Sequence, residues 1–216
     1  MLFINFKTYP QATDRKAVEL GLACQKAQKN IKIPLVLLVQ AADIAQVKKA
    51  VILPLWAQHI DPVEPGQATG FTTALAVRKD GAQGVMLNHS EHPLPFADLK
   101  KAVNLAKKQD LRTLICVKSI KQAKKAKGLE PDFIAFENPQ LIGTGVSMAN
   151  SQKGQKQLAE FIKLGIDFPI VGAGISKRKD VKKSLELGTR GILVSSAVVK
   201  AKDPQKTIEK LAAGFE

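Results

Sequence analysis

Three residues able to move or balance a proton stand just past apolar runs of this chain. Lys7 follows Leu2-Phe3-Ile4-Asn5-Phe6, His89 follows Val85-Met86-Leu87-Asn88, and Glu137 follows Phe133-Ile134-Ala135-Phe136. A carboxylate at a strand end is placed to act as a general base. An imidazole there can donate a hydrogen bond or carry a proton, and an ammonium group can balance a developing oxyanion. After Glu137 the chain runs Asn138-Pro139-Gln140-Leu141-Ile142-Gly143-Thr144-Gly145, stiff at its entry and permissive at its glycine exit, which suits a lid. Two sets of small residues follow later runs: Gly172-Ala173-Gly174 after Phe168–Val171, and Ser195-Ser196 after Gly191–Val194. Turns of that kind bring backbone N–H groups close to an anion. Taken singly, each group has an ordinary explanation: a surface lysine, a capping histidine, a solvated glutamate, a tight turn. Only an architecture that gathers them at one place turns them into a site.

The apolar runs and the segments between them supply such an architecture. Runs at Leu2–Phe6, Leu35–Val39, Leu53–Ala57, Val85–Leu87, Leu111–Val117, Phe133–Phe136, Phe168–Val171 and Gly191–Val194 read as strands. Helical periodicity marks about Ala12–Asn30, Ala42–Ala50, Thr72–Lys79, Pro95–Gln109, Ser119–Lys127, Ser151–Leu164, Lys177–Leu187 and Pro204–Ala213. Strict alternation of strand and helix implies a parallel sheet covered by helices. Eight units with no break in composition predict an α/β chain folded as one closed (β/α)8 barrel, a single domain over residues 1–216. An open doubly wound sheet is the alternative. It is weakened because no Gly-x-Gly-x-x-Gly follows the first strand. In a closed barrel the active site lies at the C-terminal strand ends, so Asn5, Lys7, His89, Glu91, Glu137, Gly174, Ser195 and Ser196 share one mouth. Gln58 and His59 follow the third run and face the same end. A cation, an imidazole, a carboxylate base and an anion cradle together suit proton transfer next to a carbonyl on a small sugar phosphate.

Composition narrows the classes. The formal net charge is +14, carried mostly by lysine on the helical segments, notably 100–101, 107–108, 121–127 and 177–183. These runs read as solvated outer faces. Nucleic-acid binding would favour arginine and interleaved aromatics; the runs hold no aromatic residue and no arginine but Arg178, so no nucleic-acid partner is expected. The same charge can steer an anionic substrate. No apolar stretch is long enough to span a bilayer, and residues 1–7 do not read as a signal peptide, so no membrane association is expected. Cys24 and Cys116 make no metal or redox spacing, which fits a reducing cytoplasm.

As a set, Asn5-Phe6-Lys7, Asn88-His89-Ser90-Glu91, Glu137 with Leu141-Ile142-Gly143-Thr144-Gly145, and Gly172-Ala173-Gly174 resemble the triosephosphate isomerases. The trimmed length and the ending Val194-Ser195-Ser196-Ala197-Val198-Val199-Lys200-Ala201-Lys202-Asp203 resemble the family's short archaeal branch. The resemblance runs through nearly the whole chain. It implies interconversion of dihydroxyacetone phosphate and glyceraldehyde 3-phosphate through an enediolate, a step shared by glycolysis and gluconeogenesis, with no cofactor and no metal. It implies that Glu137 is the base, that His89 is the electrophile as a neutral imidazole, that Lys7 and Asn5 hold the substrate's oxygens, and that Glu91 supports Lys7. Ile142, Gly143, Gly174, Ser195 and Ser196 would line the substrate and phosphate site, and Asn138–Gly145 would be the lid. A homotetramer, or else a homodimer, in the cytoplasm is the implied state. Two positions depart from the family: Asn138 stands where proline often follows the base, and Ala197 where glycine is usual in the last phosphate loop. Another sugar-phosphate barrel, such as a phosphoribosyl isomerase, would account for the phosphate cradle but not for the rest of the set. A binding protein on this fold would need no base, and a nucleic-acid binder would show steep salt dependence.

Overall fold

A computed structural model describes residues 1–141 and 146–216. The strands are β1 (Leu2–Asn5), β2 (Leu35–Val39), β3 (Leu55–Ala57), β4 (Gly84–Leu87), β5 (Arg112–Val117), β6 (Phe133–Phe136), β7 (Pro169–Val171) and β8 (Gly191–Val194). They pair in parallel in chain order, and β1 closes on β8, so the sheet is a barrel with no edge. The helices are α1 (Arg15–Gln28), α2 (Ile44–Ala50), α3 (Ala74–Lys79), α4 (Phe96–Lys108), α5 (Ile120–Lys127), α6 (Gln152–Ile162), α7 (Arg178–Glu186), α8 (Ser196–Val199) and α9 (Pro204–Ala212). The expected single (β/α)8 barrel is what forms.

Side chains alternate across each strand, so the barrel has two cores. Leu2, Ile4, Leu35, Leu37, Ile115, Ile134, Phe136, Ile192 and Val194 point outward under the helices. Phe3, Val36, Leu38, Trp56, Met86, Leu114, Phe133, Ile170 and Leu193 point inward and fill the barrel. Their centre is aromatic. Phe3 meets Trp56 edge-on at 5.5 Å and Phe133 at 5.4 Å, and Phe133 meets Phe168 at 5.3 Å. The Trp56 indole lies where a side chain on Gly84 would have to go, which is why β4 begins with glycine.

The helices start where side chains can cap them. Thr73, Ser119, Ser151 and Asp203 each accept a hydrogen bond from a first-turn N–H of the helix that follows, a contact worth about 1 kcal/mol each. On α5, Ala123 and Ala126 face the sheet while Lys121, Lys124, Lys125 and Lys127 are exposed. The lysines of α4 and α7 are exposed in the same way, so these runs form the solvated outer surface. Observed ends differ from the expected ones by a few residues. Ala12–Asp14 is a 3-10 turn and an N-cap rather than part of α1, and β3 starts at Leu55 because Pro54 precedes it. Among the described residues, no helix is long and apolar enough to cross a membrane.

Candidate active site

Inward-facing positions continue past the strand ends into the mouth. Asn5 lies two residues beyond Phe3, Asn88 two beyond Met86, Glu137 two beyond Ala135, Gly172 two beyond Ile170 and Ser195 two beyond Leu193. The same pleat that fills the barrel thus turns polar at its upper layer. Asn5, Lys7, His89, Glu137, Gly174, Ser195 and Ser196 line one cavity of about 270 Å³, as their positions predicted. Glu91 does not line it but is bonded to Lys7. Ile142 and Gly143 lie outside the described residues, as do two further residues of the expected lid, Thr144 and Gly145. Of that segment's described part, Pro139–Leu141 forms a 3-10 turn tied to Asn138 by the Gln140 and Leu141 N–H groups.

Lys7 is held in an uncommon backbone conformation. Its φ is 50°, and the turn is fixed because Asn5 Oδ1 accepts the Lys7 N–H at 2.9 Å. From the other side Gln58 Nε2 donates to the Lys7 carbonyl at 3.2 Å and to the Leu38 carbonyl at 3.1 Å. Strained backbone of this kind persists where its surroundings over-determine it. The Lys7 ammonium pairs with Glu91, whose side chain is 54% exposed. Asn88 also has positive φ, 59°. Its amide donates to the Cys116 carbonyl at 2.8 Å and accepts the Leu94 N–H at 3.0 Å, which pins the loop carrying His89 against β5.

His89 and Glu137 are 7% and 5% exposed. The Glu91 N–H donates to His89 Nδ1 at 3.2 Å. An acceptor at Nδ1 assigns the ring proton to Nε2, the tautomer of a neutral imidazole. Nε2 stands 3.4 Å from Glu137 Oε2, yet Oε2 has no aligned hydrogen-bond partner among the described residues. A buried carboxylate oxygen left in that state is costly unless a ligand satisfies it. Below Glu137 lies Cys116, on the inner face of β5. Burial, and then the charge and hydrogen bond of Glu137, push its thiol well above the usual range, so it stays protonated. A side chain on Gly172 would land on the Glu137 carboxylate, and one on Gly174 on the Val146 carbonyl. Gly174 moreover has φ of 71°, and Ala173 66°. The turn after β7 is therefore shaped by what sits against it.

At β8 the chain breaks at Ser195 (φ −141°, ψ −91°) and enters α8, a four-residue helix absent from the sequence expectation. The Ser195 hydroxyl is buried without a partner among the described residues. Tyr9, Ile175, Ser176 and Ala197 also line the cavity, with Ala173, Leu193 and Val194, and neither Tyr9 nor Ser176 was expected there. The sole signal for Tyr9 was its place two residues beyond Lys7, in the same turn. His59 is not in the cavity. It stacks on His92 at 3.9 Å between ring centroids and approaches Asp61 at 3.4 Å. Among the described residues, no cluster of His, Cys, Asp or Glu is arranged to hold a metal ion.

The sequence profile of the family described as triosephosphate isomerase matches residues 1–211. The triosephosphate isomerase of Methanocaldococcus jannaschii is 36% identical over 195 residues, 89% of each chain. That of Methanosarcina acetivorans is 36% identical over 195 residues, 88% of this chain and 87% of the relative. Among solved structures, triosephosphate isomerase from Bartonella henselae superposes with a TM-score of 0.74 over 96% of both chains at 18% identity, a likeness of fold. With its strands in this order and its full-length relatives, the chain is an enzyme of the triosephosphate isomerase family.

Proposed function

We propose that the protein interconverts dihydroxyacetone phosphate and D-glyceraldehyde 3-phosphate through an enediolate, with Glu137 as base and His89 as electrophile. The observation that carries this reading is the Glu137 carboxylate itself. It is 5% exposed, its Oε2 is unsatisfied among the described residues, and it faces the cavity 3.4 Å from His89 Nε2. A substrate carbon acid next to a carbonyl, lying in the cavity against this pair, can reach both groups. Glu137 takes a proton from that carbon, the carbonyl π electrons move onto oxygen, and the Nε2–H of His89 meets the developing charge. Returning the proton from Glu137 to the neighbouring carbon completes the isomerisation with no net change in electrons, so no cofactor is needed. Lys7 supplies positive charge to the same oxygens, and the amide of Asn5 orients them. Glu91 holds Lys7 in place until an anion arrives.

The phosphate falls to Gly174, Ser195 and Ser196, where the unpartnered Ser195 hydroxyl and the backbone of two turns line the cavity. Ile142 and Gly143 join this cradle within a lid over Asn138–Gly145. The enzyme is of the short archaeal type, which the two methanogen relatives and their matching lengths support. It works in the cytoplasm in glycolysis and gluconeogenesis as a homotetramer, a homodimer being the other state to expect.

A coupled NADH assay with glyceraldehyde 3-phosphate tests the activity directly. Turnover that saturates with substrate and is blocked by 2-phosphoglycolate is the expected result. A folded, pure protein with no turnover would overturn the reading. Light scattering on the same preparation gives the subunit count.

A further inference from the structure

Tyr9 is the largest of the described cavity-lining side chains to which the proposed chemistry gives no task. It lines the cavity beside Ser195, Ser196 and Ala197, yet it comes from the turn after β1. Because β1 pairs with β8, the ring stands across the seam between the Lys7 turn and the phosphate cradle. Its backbone is fixed. The Tyr9 carbonyl accepts the Ala12 N–H at 2.8 Å and the Thr13 hydroxyl at 3.0 Å, and Pro10 follows. The ring is fixed too. It packs partly buried against the core, and the Lys200 ammonium lies 4.3 Å from its centre. Lys200 is the residue that ends α8, whose first residues line the cradle. One cation–π contact thus joins the wall to the far end of the phosphate helix.

We infer that Tyr9, braced by Lys200, is a specificity-determining residue that sets how long a phosphorylated substrate the site accepts. This rests on the proposal that the phosphate lies against Gly174, Ser195 and Ser196. With the phosphate there and the reacting carbons in the cavity against His89 and Glu137, the chain joining them has a set span. A rigid aromatic ring at the β1–β8 side closes the space that a fourth carbon would take. A flexible side chain would yield to a longer ligand, whereas a braced ring does not. Lys200 acts through the ring alone, since its side chain does not line the cavity.

The test measures KM, kcat and two inhibition constants for wild type and for Tyr9→Phe, Tyr9→Leu, Tyr9→Ala and Lys200→Met. The probes are 3-phosphoglycerate, with three carbons like the triose, and 4-phosphoerythronate, longer by one CHOH unit. Wild type should prefer the shorter anion. Tyr9→Ala and Tyr9→Leu should narrow that preference by about tenfold, the usual scale for one misfitted methylene group, and raise KM more than they lower kcat. Tyr9→Phe should keep the wild-type ratio within about twofold, since the ring is retained, and Lys200→Met should lie between. An unchanged inhibitor ratio in both Tyr9→Leu and Tyr9→Ala overturns the inference, as does a loss confined to kcat and melting temperature. If Tyr9→Ala fails to fold, Tyr9→Leu and Lys200→Met decide the matter through the same ratio. Absence of turnover in wild type would count against the proposed reaction instead, and calorimetric binding of the two probes would still read the length preference.

Discussion

The inside of this barrel is two environments built on the same strands. At the base, Phe3, Trp56, Phe133, Ile170 and Leu193 interdigitate on strands that pair with their neighbours. Two residues further along the same inward faces stand Asn5, Gly172 and Ser195, with Glu137 two beyond Ala135, and there polar groups are left unpaired. Glu137 Oε2, Ser90 Oγ and Ser195 Oγ are buried with no hydrogen-bond partner among the described residues. Lys7, Asn88 and Ala173 hold positive φ. One layer satisfies its groups and so supplies stability. The layer above leaves them poised and so supplies chemistry, at a cost the lower layer offsets.

The largest expected effect separates the layers most sharply. Glu137→Gln keeps the shape of the side chain and removes the proposed base, so turnover should fall by about 100- to 10,000-fold. Thermal stability should hold or rise, because a buried carboxylate with one unpaired oxygen among the described residues becomes a neutral amide. Steady-state kinetics beside a melting curve checks both halves, and a variant that melts early while keeping its turnover would erase the distinction. Trp56→Ala should do the reverse. Emptying the centre of the aromatic cluster should cost about 3–5 kcal/mol of stability. The kcat at 25 °C should change far less than in Glu137→Gln, provided the protein is still folded. Denaturant unfolding gives the first number, and loss of turnover comparable to that of the base variant would show that the layers are not separable.

The smallest effect lies on the rim. Burial, and then the neighbouring His92, hold the His59 imidazole below its ordinary value, against a smaller opposing pull from Asp61. The unfolded chain therefore takes up a proton that the fold resists, and stability rises with pH across this range. It is fully present above the ordinary histidine value and is lost as pH falls towards the lowered one. His59→Gln should flatten the melting temperature between pH 7.5 and 5.5 by about 2 °C or less, with kcat at pH 7.5 unchanged because the ring lies outside the cavity. A variant with the same acid slope as wild type would remove His59 from this account.

Much of this was legible in the residues. Phe133–Phe136 and Gly191–Val194 form strands with the expected limits, because an apolar run between helical segments has few other places to go in an alternating chain. Glu137 was legible because its position at a strand end fixes both its height and, by the two-residue period, its inward direction. What escaped notice came from turns. Ser196-Ala197-Val198-Val199 is apolar and β-branched, so by pattern it continues the strand, yet the break at Ser195 makes it a helix. Tyr9 and Ser176 reach the cavity from loops, where no period tells which way a side chain points. His59 was read at the mouth from its place after β3, but its ring turns outward to stack on His92. Cys116 carried a signal that spacing for metals or disulfides does not capture. As an inward residue of β5 it had to meet whatever the neighbouring strand β6 carries at its end.

Gly172 has a consequence for how this chain is able to change over generations. Its missing side chain is the space in which the Glu137 carboxylate lies. The two positions are far apart in the gene, but they are inherited as one unit. A mutation that gives residue 172 even a methyl group pushes the Glu137 carboxylate out of that space. Drift at residue 172 is thus constrained for as long as selection keeps a carboxylate at this height in the barrel.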